Sequence, residues 1–579
     1  MCIYYFNNNL FDENKKEGVL TMNKKNYILS VSYRIGKNVY TIDKSDNILT
    51  FKEYGEDNCI KLKVIANKEV NILQAKLIYN RKLKENEFFF SNGYQSWTTS
   101  KEYKNSDYQY GLLFPANITP VAKKYVKTSG DYNFTTYRKK LFHSHTYTYF
   151  RKNNKLELFG SLNERTGYTI FYLDVKNDTF TITKDVDGLT INGEYELFNI
   201  IYFTGNYDQV FDNYFDFYVK KTNRNFEQLV GYTSWYNYFN KINETILIQD
   251  LNGLHSKFGI EANTFQIDDG YQNKTGDWLS INTSKFPNGM KYMAEKIHEK
   301  GYKAGIWLSP FSVQYKSQLA LDHPEWLVKN KNGKNVIGGF AWGGFYVIDI
   351  DNPKAREYIK HVFNVMLNDW GFDMVKLDFL FCIAIGPRNG KTRGQLMHEA
   401  IDFLRDCCGK KIILGCGVPL CATWGKLDSC RIGCDVGLSF KDRFYTSTIN
   451  QEVGSTRLSI NNSIFRRHLN ERVFSSDPDV FFLRNDGKNS VKFNMEQKKL
   501  LALINHIFGN ILFVSDNVQN YDEKSLEVLK SCFKKFEGKV ISAEYINKED
   551  IVINYIENGI TKSIRLNMIS GAHKTVIIK

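Results

Sequence analysis

Asp369-Trp-Gly-Phe-Asp-Met-Val-Lys-Leu-Asp378 is the stretch that decides the fold. It joins the end of a predicted helix to an apolar strand, and the strand ends in a carboxylate. Gly371 stands where a left-handed helix cap is expected. The helix before it has a predicted start at Asn352, with Pro353 in its first turn. The stretch therefore predicts a helix, a glycine and then a strand with a polar end.

The same unit recurs along the chain. Gly259, Gly301 and Gly409 each precede a short apolar segment. Strands that alternate with helices build a parallel sheet, and about eight such units fit between residues 225 and 516, as in a (β/α)8 TIM barrel. We predict strand ends near Trp235, Asp268, Trp307, Asp378, Cys416, Arg431, Phe482 and Ser515.

The flanking regions show a different pattern. Between about residue 27 and residue 205, segments such as Ile60-Lys-Leu-Lys-Val-Ile65 alternate polar and apolar residues, which predicts antiparallel sheets. Short strands such as Asp550-Ile-Val-Ile-Asn-Tyr555 return after Asp516. We therefore predict a multidomain α/β and all-β protein. Its parts are an N-terminal β-sandwich (1–215), a central barrel (216–516) and a small C-terminal antiparallel β domain (517–579).

Charge and composition narrow the class of protein. The 579 residues carry a net charge of +14, but the lysines are scattered, which argues against nucleic-acid binding. No apolar run reaches the ~18 residues of a membrane span. The segment that starts at Met1 lacks the basic and apolar regions of a signal peptide, and the segment after Met22 is too short and polar. Aromatic residues, at 15%, suit sugar stacking but equally suit core packing.

The ten cysteines show no disulfide spacing, which favours a reducing cytoplasm. No histidines match Cys416, Cys421, Cys430 and Cys434, so we expect no metal and no cofactor.

Three acidic positions at predicted strand ends suggest chemistry. Lys376 and Asp378 share one face of their strand, and a neighbouring cation keeps a carboxylate ionised, as a nucleophile requires. An ion pair at the barrel rim explains them equally well. Asp268 and Asp269 suit sugar hydroxyls, but also a divalent cation or a helix cap. Asp435 follows the sixth strand and is a proton donor or a helix cap.

Several motifs, in order along nearly the whole chain, resemble the α-galactosidases of glycoside hydrolase family 36. The motifs are Ser91-Asn-Gly-Tyr-Gln-Ser-Trp97, Gly231-Tyr-Thr-Ser-Trp-Tyr236, Ile267-Asp-Asp-Gly-Tyr271, Ala304-Gly-Ile-Trp307, Lys376-Leu-Asp378, Gly415-Cys-Gly-Val-Pro-Leu420, Arg431-Ile-Gly-Cys-Asp-Val436 and Ser476-Asp-Pro-Asp-Val480.

The resemblance implies the sandwich, barrel and C-terminal β domain, and a retaining, exo-acting α-galactosidase whose substrate is an α-galactoside oligosaccharide. It implies that Asp378 is the nucleophile and Asp435 the acid/base. Asp268 and Asp269 would bind the axial and primary hydroxyls of galactose. The other implied substrate-binding residues are Trp97, Trp235, Tyr236, Trp307, Lys376, Cys416 and Arg431. Monomers and tetramers both occur among relatives, so a homo-oligomer stays open.

Departures from the family pattern keep alternatives open. Tyr94, Tyr271 and Cys434 replace the common residues, and Phe379 and Phe381 replace polar neighbours of the nucleophile. The alternatives are an α-N-acetylgalactosaminidase, an α-galactosyl transferase, a non-catalytic carbohydrate-binding protein and a magnesium-dependent lyase.

Overall fold

The computed structural model describes residues 26–55, 58–111, 130–442, 454–485, 487 and 489–578. The Met1 and Met22 positions considered for an export signal lie outside these described residues. Within the described ranges, no helix is both long and apolar enough to cross a membrane.

An antiparallel sheet of 12 strands forms the N-terminal part. Its strands are β1 (Ile28–Ile35), β2 (Asn38–Ile42), β3 (Leu49–Tyr54), β4 (Cys59–Asn80), β5 (Phe88–Ser91), β6 (Lys101–Tyr103), β7 (Leu141–His145), β8 (Tyr147–Lys152), β9 (Lys155–Ser161), β10 (Thr169–Asp174), β11 (Thr179–Lys184) and β12 (Thr190–Gly205).

The 22-residue strand β4 connects the two layers of this part. Its first half pairs with β3 and β12, and its second half pairs with β1 and β11. Alternate residues along β4 are buried, as expected for a strand with one face on the core and the other exposed to solvent. Leu62 and Leu77, from the two halves, belong to one core with Phe180 and Ile200. The predicted sandwich is confirmed.

A parallel sheet forms the centre, in the order β22-β21-β20-β19-β15-β14-β13-β24-β23. These strands are β13 (Leu229–Thr233), β14 (Thr264–Ile267), β15 (Lys303–Leu308), β19 (Met374–Leu377), β20 (Ile412–Gly415), β21 (Ser429–Arg431), β22 (Ser475–Asp477), β23 (Val480–Phe481) and β24 (Ile511–Val514).

Only Pro478 and Asp479 separate β22 from β23, the two ends of that order. The sheet therefore closes on itself, and β22 and β23 together occupy the seventh strand position. The predicted barrel is confirmed, and its strands end at or within two residues of the predicted positions. A small sheet of β16 (Ser312–Gln314), β17 (Ile337–Gly339) and β18 (Phe345–Val347) projects from the loop after β15.

Ten α-helices complete the described chain. They are α1 (Tyr207–Asp216), α2 (Trp235–Tyr238), α3 (Glu244–Phe258), α4 (Gly289–His298), α5 (Gln318–Asp322), α6 (Pro353–Asn364), α7 (Arg393–Cys408), α8 (Thr456–Phe465), α9 (Met495–Phe508) and α10 (Glu523–Cys532).

The local signals that predicted the barrel helices are present in the structure. The Asn352 side chain accepts hydrogen bonds from the backbone N–H groups of Lys354 and Ala355, and so caps α6. Gly371 and Gly409 have φ values of +83° and +54°, in the region that favours glycine. After α10, strands β25 (Gly538–Tyr545), β26 (Asp550–Glu557), β27 (Ile560–Asn567) and β28 (His573–Ile577) form the C-terminal antiparallel sheet.

Candidate active site

A cavity of about 420 Å³ opens at the carboxyl ends of the barrel strands. Barrel strand ends, the sandwich segment around Trp97 and the loop between β17 and β18 all contribute to it. The sequence-predicted residues that line it are Trp97, Trp235, Asp268, Asp269, Trp307, Lys376, Asp378, Cys416 and Asp435. Residues from distant parts of the sequence thus meet at one barrel face, because parallel strands all end there.

Asp378 follows the last residue of β19, and both of its carboxylate oxygens are held. The backbone N–H of Phe379 donates to Oδ1 at 2.7 Å, and the indole of Trp307 donates to Oδ2 at 3.3 Å. Phe379 has a left-handed backbone, with φ of 53°, which costs a non-glycine residue energy and is common at functional sites. This turn fixes the orientation of the carboxylate.

The pKa of Asp378 is raised, whereas the sequence predicted that pairing with Lys376 keeps this carboxylate ionised. Burial raises the pKa of Asp378, the nearby Lys376 charge opposes that rise, and Asp435 adds to it. The Lys376 ammonium does not pair with Asp378 but lies 2.8 Å from Oδ2 of Asp268. Burial disfavours this ammonium, but the Asp268 carboxylate outweighs burial and holds the pKa of Lys376 above its usual range. Lys376 therefore favours the ionised form of Asp378 by the attraction between their charges, without a direct ion pair.

Asp268 and Asp269 avoid mutual repulsion because each has its own partners. Asp268 has Lys376, whereas Oδ2 of Asp269 accepts from the Trp342 indole at 2.8 Å and Oδ1 accepts from Gln272 at 2.6 Å. Burial raises the pKa of Asp269, and these two donors counteract the rise. Both carboxylates can accept further hydrogen bonds from hydroxyl groups in the cavity.

Asp435 is held from behind by a buried charge network. Its side chain is 60% exposed, and Nη1 of Arg431 lies 2.9 Å from its Oδ1. The same guanidinium contacts Asp477 at 3.1 Å and Asp479 at 2.8 Å. Burial raises the pKa of Asp479, and Arg431 opposes the rise. The network fixes one side of Asp435 while its carboxyl group faces the cavity.

Tyr236 and Arg431 are not among the residues that line the cavity. Tyr236 is buried and its hydroxyl donates to Asp479. Arg431 is buried and contacts Asp435, Asp477 and Asp479. Both side chains therefore belong to the charge network that contacts Asp435.

Trp97 reaches the cavity from the sandwich across a glycine. A Cβ atom at Gly417 would lie 3.0 Å from the Trp97 ring and 3.1 Å from Oδ1 of Asp378, and φ at Gly417 is +56°. The space that glycine leaves thus lets the indole approach the carboxylate. Cys416 lies beside it, and burial raises the pKa of its thiol, so the group stays protonated and can donate a hydrogen bond.

Arg466, which follows α8, fixes the Trp97 segment to the barrel. Its fully buried guanidinium donates to the carbonyl oxygens of Ser96, Gln95 and Thr98 at 2.5, 2.9 and 2.8 Å. It also donates to the carbonyl of Ile432 at 2.6 Å, next to the loop of Asp435. One side chain therefore sets the position of the sandwich segment relative to that loop.

Sequence reasoning missed the partners of Asp269 and the acidic partners of Arg431. Trp342 lies in the glycine-rich loop between β17 and β18, where no periodicity marks it, and Gln272 lies in an irregular turn. Asp477 and Asp479 belong to a motif that the resemblance included, but no role was assigned to them. The sequence Asp477-Pro478-Asp479, with two acidic residues so close together, was the signal that could have revealed them.

The fold and the cavity define a (β/α)8-barrel protein in which Asp378 and Asp435 line one pocket with polar and aromatic walls at the carboxyl ends of the strands. Comparison with known proteins agrees. Residues 200–398 match the family model described as Melibiase. Alpha-galactosidase 1 of Pediococcus pentosaceus is 26% identical over 196 residues, which are 32% of this chain and only 25% of that relative's length.

Two solved structures share the fold. The alpha-galactosidase of Thermus thermophilus matches with a TM-score of 0.66 and 21% identity, over 91% of this chain and 98% of that one. The GH36 alpha-galactosidase AgaA of Geobacillus stearothermophilus matches with a TM-score of 0.59 and 10% identity, over 90% and 73%. The chain is therefore similar to the melibiase family over residues 200–398, and it shares its fold with these two solved structures.

Proposed function

We propose that this chain is a retaining, exo-acting α-galactosidase that removes terminal α-D-galactosyl residues from oligosaccharides. The observation that carries the proposal is that Asp378 and Asp435 line one cavity at the carboxyl ends of the barrel strands, each with its own supporting contacts. Several of the relatives that match are α-galactosidases, although one is a galactosaminidase, and the Thermus thermophilus structure contains p-nitrophenyl α-D-galactopyranoside.

In the proposed mechanism Asp378 attacks the anomeric carbon while Asp435 protonates the departing glycosidic oxygen. The bond to the leaving group breaks as the bond to the Asp378 carboxylate forms, which leaves a covalent glycosyl-enzyme. Asp435, now a carboxylate, then takes a proton from water, and the water oxygen attacks the same carbon from the side that the leaving group left. The bond from that carbon to Asp378 breaks at the same time and releases the Asp378 carboxylate. Two inversions give net retention.

The groups around the cavity suit galactose. Asp268 and Asp269 present carboxylate oxygens for the axial and primary hydroxyls, and Lys376 and Cys416 supply donors for the remaining ones. Trp97, Trp235, Trp307 and Trp342 supply apolar walls of the cavity. Tyr236 and Arg431 are proposed to act through Asp479 and Asp435.

The cell compartment and domain limits are also proposals. Among the described cysteines, Cys382, Cys407, Cys408, Cys416, Cys421, Cys430, Cys434 and Cys532 are free thiols, which supports a cytoplasmic protein. The change from antiparallel to parallel and back to antiparallel sheets supports domains at 1–215, 216–516 and 517–579.

The test compares hydrolysis of p-nitrophenyl α-D-galactopyranoside with its 2-acetamido analogue, and uses NMR to follow the first-formed sugar anomer. We expect turnover of the galactoside, α-galactose as the first product and little turnover of the acetamido substrate, since Cys416 leaves a small site near the second carbon. Preference for the acetamido substrate identifies an N-acetylgalactosaminidase. Transfer to excess acceptor sugar without hydrolysis identifies a transferase. Binding without turnover identifies a carbohydrate-binding protein.

A further inference from the structure

A buried cluster of two histidines and an aspartate lies in the sandwich, outside the catalytic cavity. His143 and His145 are two residues apart on β7, so their side chains leave the same face of the strand. Asp131 meets them from the preceding segment. The three residues are 1%, 2% and 0% exposed, respectively.

The distances in the cluster fit a tetrahedral metal ion. Oδ2 of Asp131 lies 3.0 Å from Nε2 of His145 and 3.6 Å from Nε2 of His143. The three potential ligand atoms all lie within 4.8 Å of one another. Bonds of about 2.0–2.1 Å to a tetrahedral zinc ion separate neighbouring ligand atoms by about 3.3 Å, a value between the two observed distances.

The surroundings offer a fourth ligand. The Thr135 hydroxyl lies 3.2 Å from Nε2 of His145, and it can ligate directly or hold a water in the remaining position. Two imidazoles, one carboxylate and one oxygen form a donor set that suits zinc. Gln109 holds β7 in place by accepting from the backbone N–H of His143 at 2.7 Å.

Charge supports a cation at the same point. Among the described residues, no lysine or arginine pairs with Asp131, whose ion-pair partners are the two imidazoles. The Tyr137 hydroxyl donates to Oδ1 of Asp131 at 2.7 Å, whereas Oδ2 is the oxygen that lies near both imidazoles. A cation between Oδ2 and the two rings would compensate the charge of this buried carboxylate.

We propose that Asp131, His143 and His145 bind one structural zinc ion. The ion fixes the segment of Asp131 to β7, directly beneath the segment that ends in Trp97. The Tyr94 ring lies 5.3 Å from the His145 ring, and the Asn92 side chain donates to the His145 carbonyl at 2.9 Å. The zinc ion thereby supports the sandwich segment that enters the catalytic cavity.

The test measures zinc in the full chain after chelator treatment and reconstitution with zinc alone. We expect about one zinc per wild-type chain and almost none in Asp131→Asn or His145→Gln. His323→Gln, at an exposed histidine on Trp326, is the control and should retain the metal. Wild-type protein that takes up no zinc, or cluster variants that bind as much as the wild type, would overturn the proposal.

Two measurements on the wild-type chain apply even where a variant does not fold. Zinc should raise the thermal midpoint by several degrees, because it binds the folded state. Cobalt(II) in the same site should show the intense visible absorption of tetrahedral coordination. A midpoint that zinc does not move, together with the weak spectrum of hydrated cobalt, would show a metal-free hydrogen-bonded cluster instead.

Discussion

At the residue scale, the two central aspartates have unequal surroundings. Asp378 is fixed through both oxygens, by Trp307 and by the backbone of Phe379. Asp435 is 60% exposed and is held through Arg431 on one side. A nucleophile needs a fixed direction of attack, whereas an acid/base must exchange protons with a leaving group and then with water. The two environments correspond to these two tasks.

Asp435→Ala should slow substrates according to how much protonation their leaving group needs. p-Nitrophenolate leaves without a proton, so its galactoside should lose little of its rate in the glycosylation step. An alkyl galactoside should lose about 10²–10⁴-fold. The comparison of kcat/KM for the two substrates measures this difference, with Asp442→Ala, which leaves the cavity lining intact, as the control. Equal losses for both substrates would contradict the acid role.

Trp342→Phe should weaken catalysis by removing one hydrogen bond while the ring stays. The indole N–H donates to Asp269 at 2.8 Å, and a hydrogen bond to a charged group contributes about 1.5–3 kcal/mol. We therefore expect kcat/KM to fall about 10–100-fold. Trp326→Phe is the matched control, since the Trp326 N–H has no partner among the described residues. Unchanged kinetics in Trp342→Phe would remove its assigned role.

Apart from Trp97, which the family resemblance implied, the residues that line the cavity were predictable only where a strand end places them. Asp268, Asp378 and Cys416 follow apolar strands, and the direction of the side chains is set by the strand. Trp342 was not predictable, because its contact with Asp269 joins an irregular loop to a residue 73 positions away. The partner of Lys376 was not predictable either, since sequence spacing suggested Asp378 and only the folded barrel brings Asp268 closer.

At the scale of elements, Arg466 joins the sandwich to the barrel. Arg466→Lys should destabilise the chain by about 3–5 kcal/mol, because an ammonium cannot replace the five N–H donors of a buried guanidinium. The loss of the fixed Trp97 segment should also raise KM. Chemical unfolding and steady-state kinetics measure the two effects.

Arg467→Lys is the control for that substitution. Its guanidinium lies 4.2 Å over the Tyr207 ring and donates to the Ile464 carbonyl at 3.0 Å, so it holds no part of the Trp97 segment. If both variants lost the same stability and kept the same KM, Arg466 would not couple the sandwich to the cavity.

The order of the elements followed from the sequence, but one strand was difficult to predict. The glycines before each strand and the change from one periodicity to the other gave the barrel its predicted extent. The seventh strand consists of β22 and β23 on either side of Pro478, because proline supplies no N–H to a neighbouring strand. Two strands of three and two residues are too short to show the alternation of apolar and polar residues that marks a strand.

At the scale of the whole molecule, buried titratable groups make stability depend on pH. Burial lowers the pKa of His398 from 6.5 to about 3, so between these values the unfolded chain binds the proton more readily. Stability from this group is complete above pH 6.5 and is lost as the pH falls toward 3, by about 3 kcal/mol at pH 4. Asp250 acts in the opposite direction, since burial raises its pKa to about 6.

The difference between wild type and His398→Gln isolates the histidine, because Asp250 contributes equally to both. We expect the free energy of unfolding of the variant to fall less steeply between pH 6.5 and pH 4. Chemical denaturation at several pH values measures the slopes. Parallel curves for the two proteins would show that His398 is not buried in neutral form.

The arrangement of whole domains could be predicted, but the contacts between them could not. The sequence predicted a sandwich and a barrel, whereas the five hydrogen bonds from Arg466 to the segment from Gly93 to Ser100 exist only where the two meet. The sequence likewise predicted no metal. The proposed zinc site was missed because Asp131 has no strand register that relates it to His143 and His145.

The central claim is that Asp378 forms a covalent bond to galactose within the cavity that Asp435 also faces. The most direct test is the turnover of p-nitrophenyl α-D-galactopyranoside by Asp378→Ala, with folding checked by circular dichroism. We predict a loss of roughly 10⁴-fold or more in kcat, because the covalent intermediate cannot form without this carboxylate. A folded variant that retains even a hundredth of the wild-type rate would contradict the account.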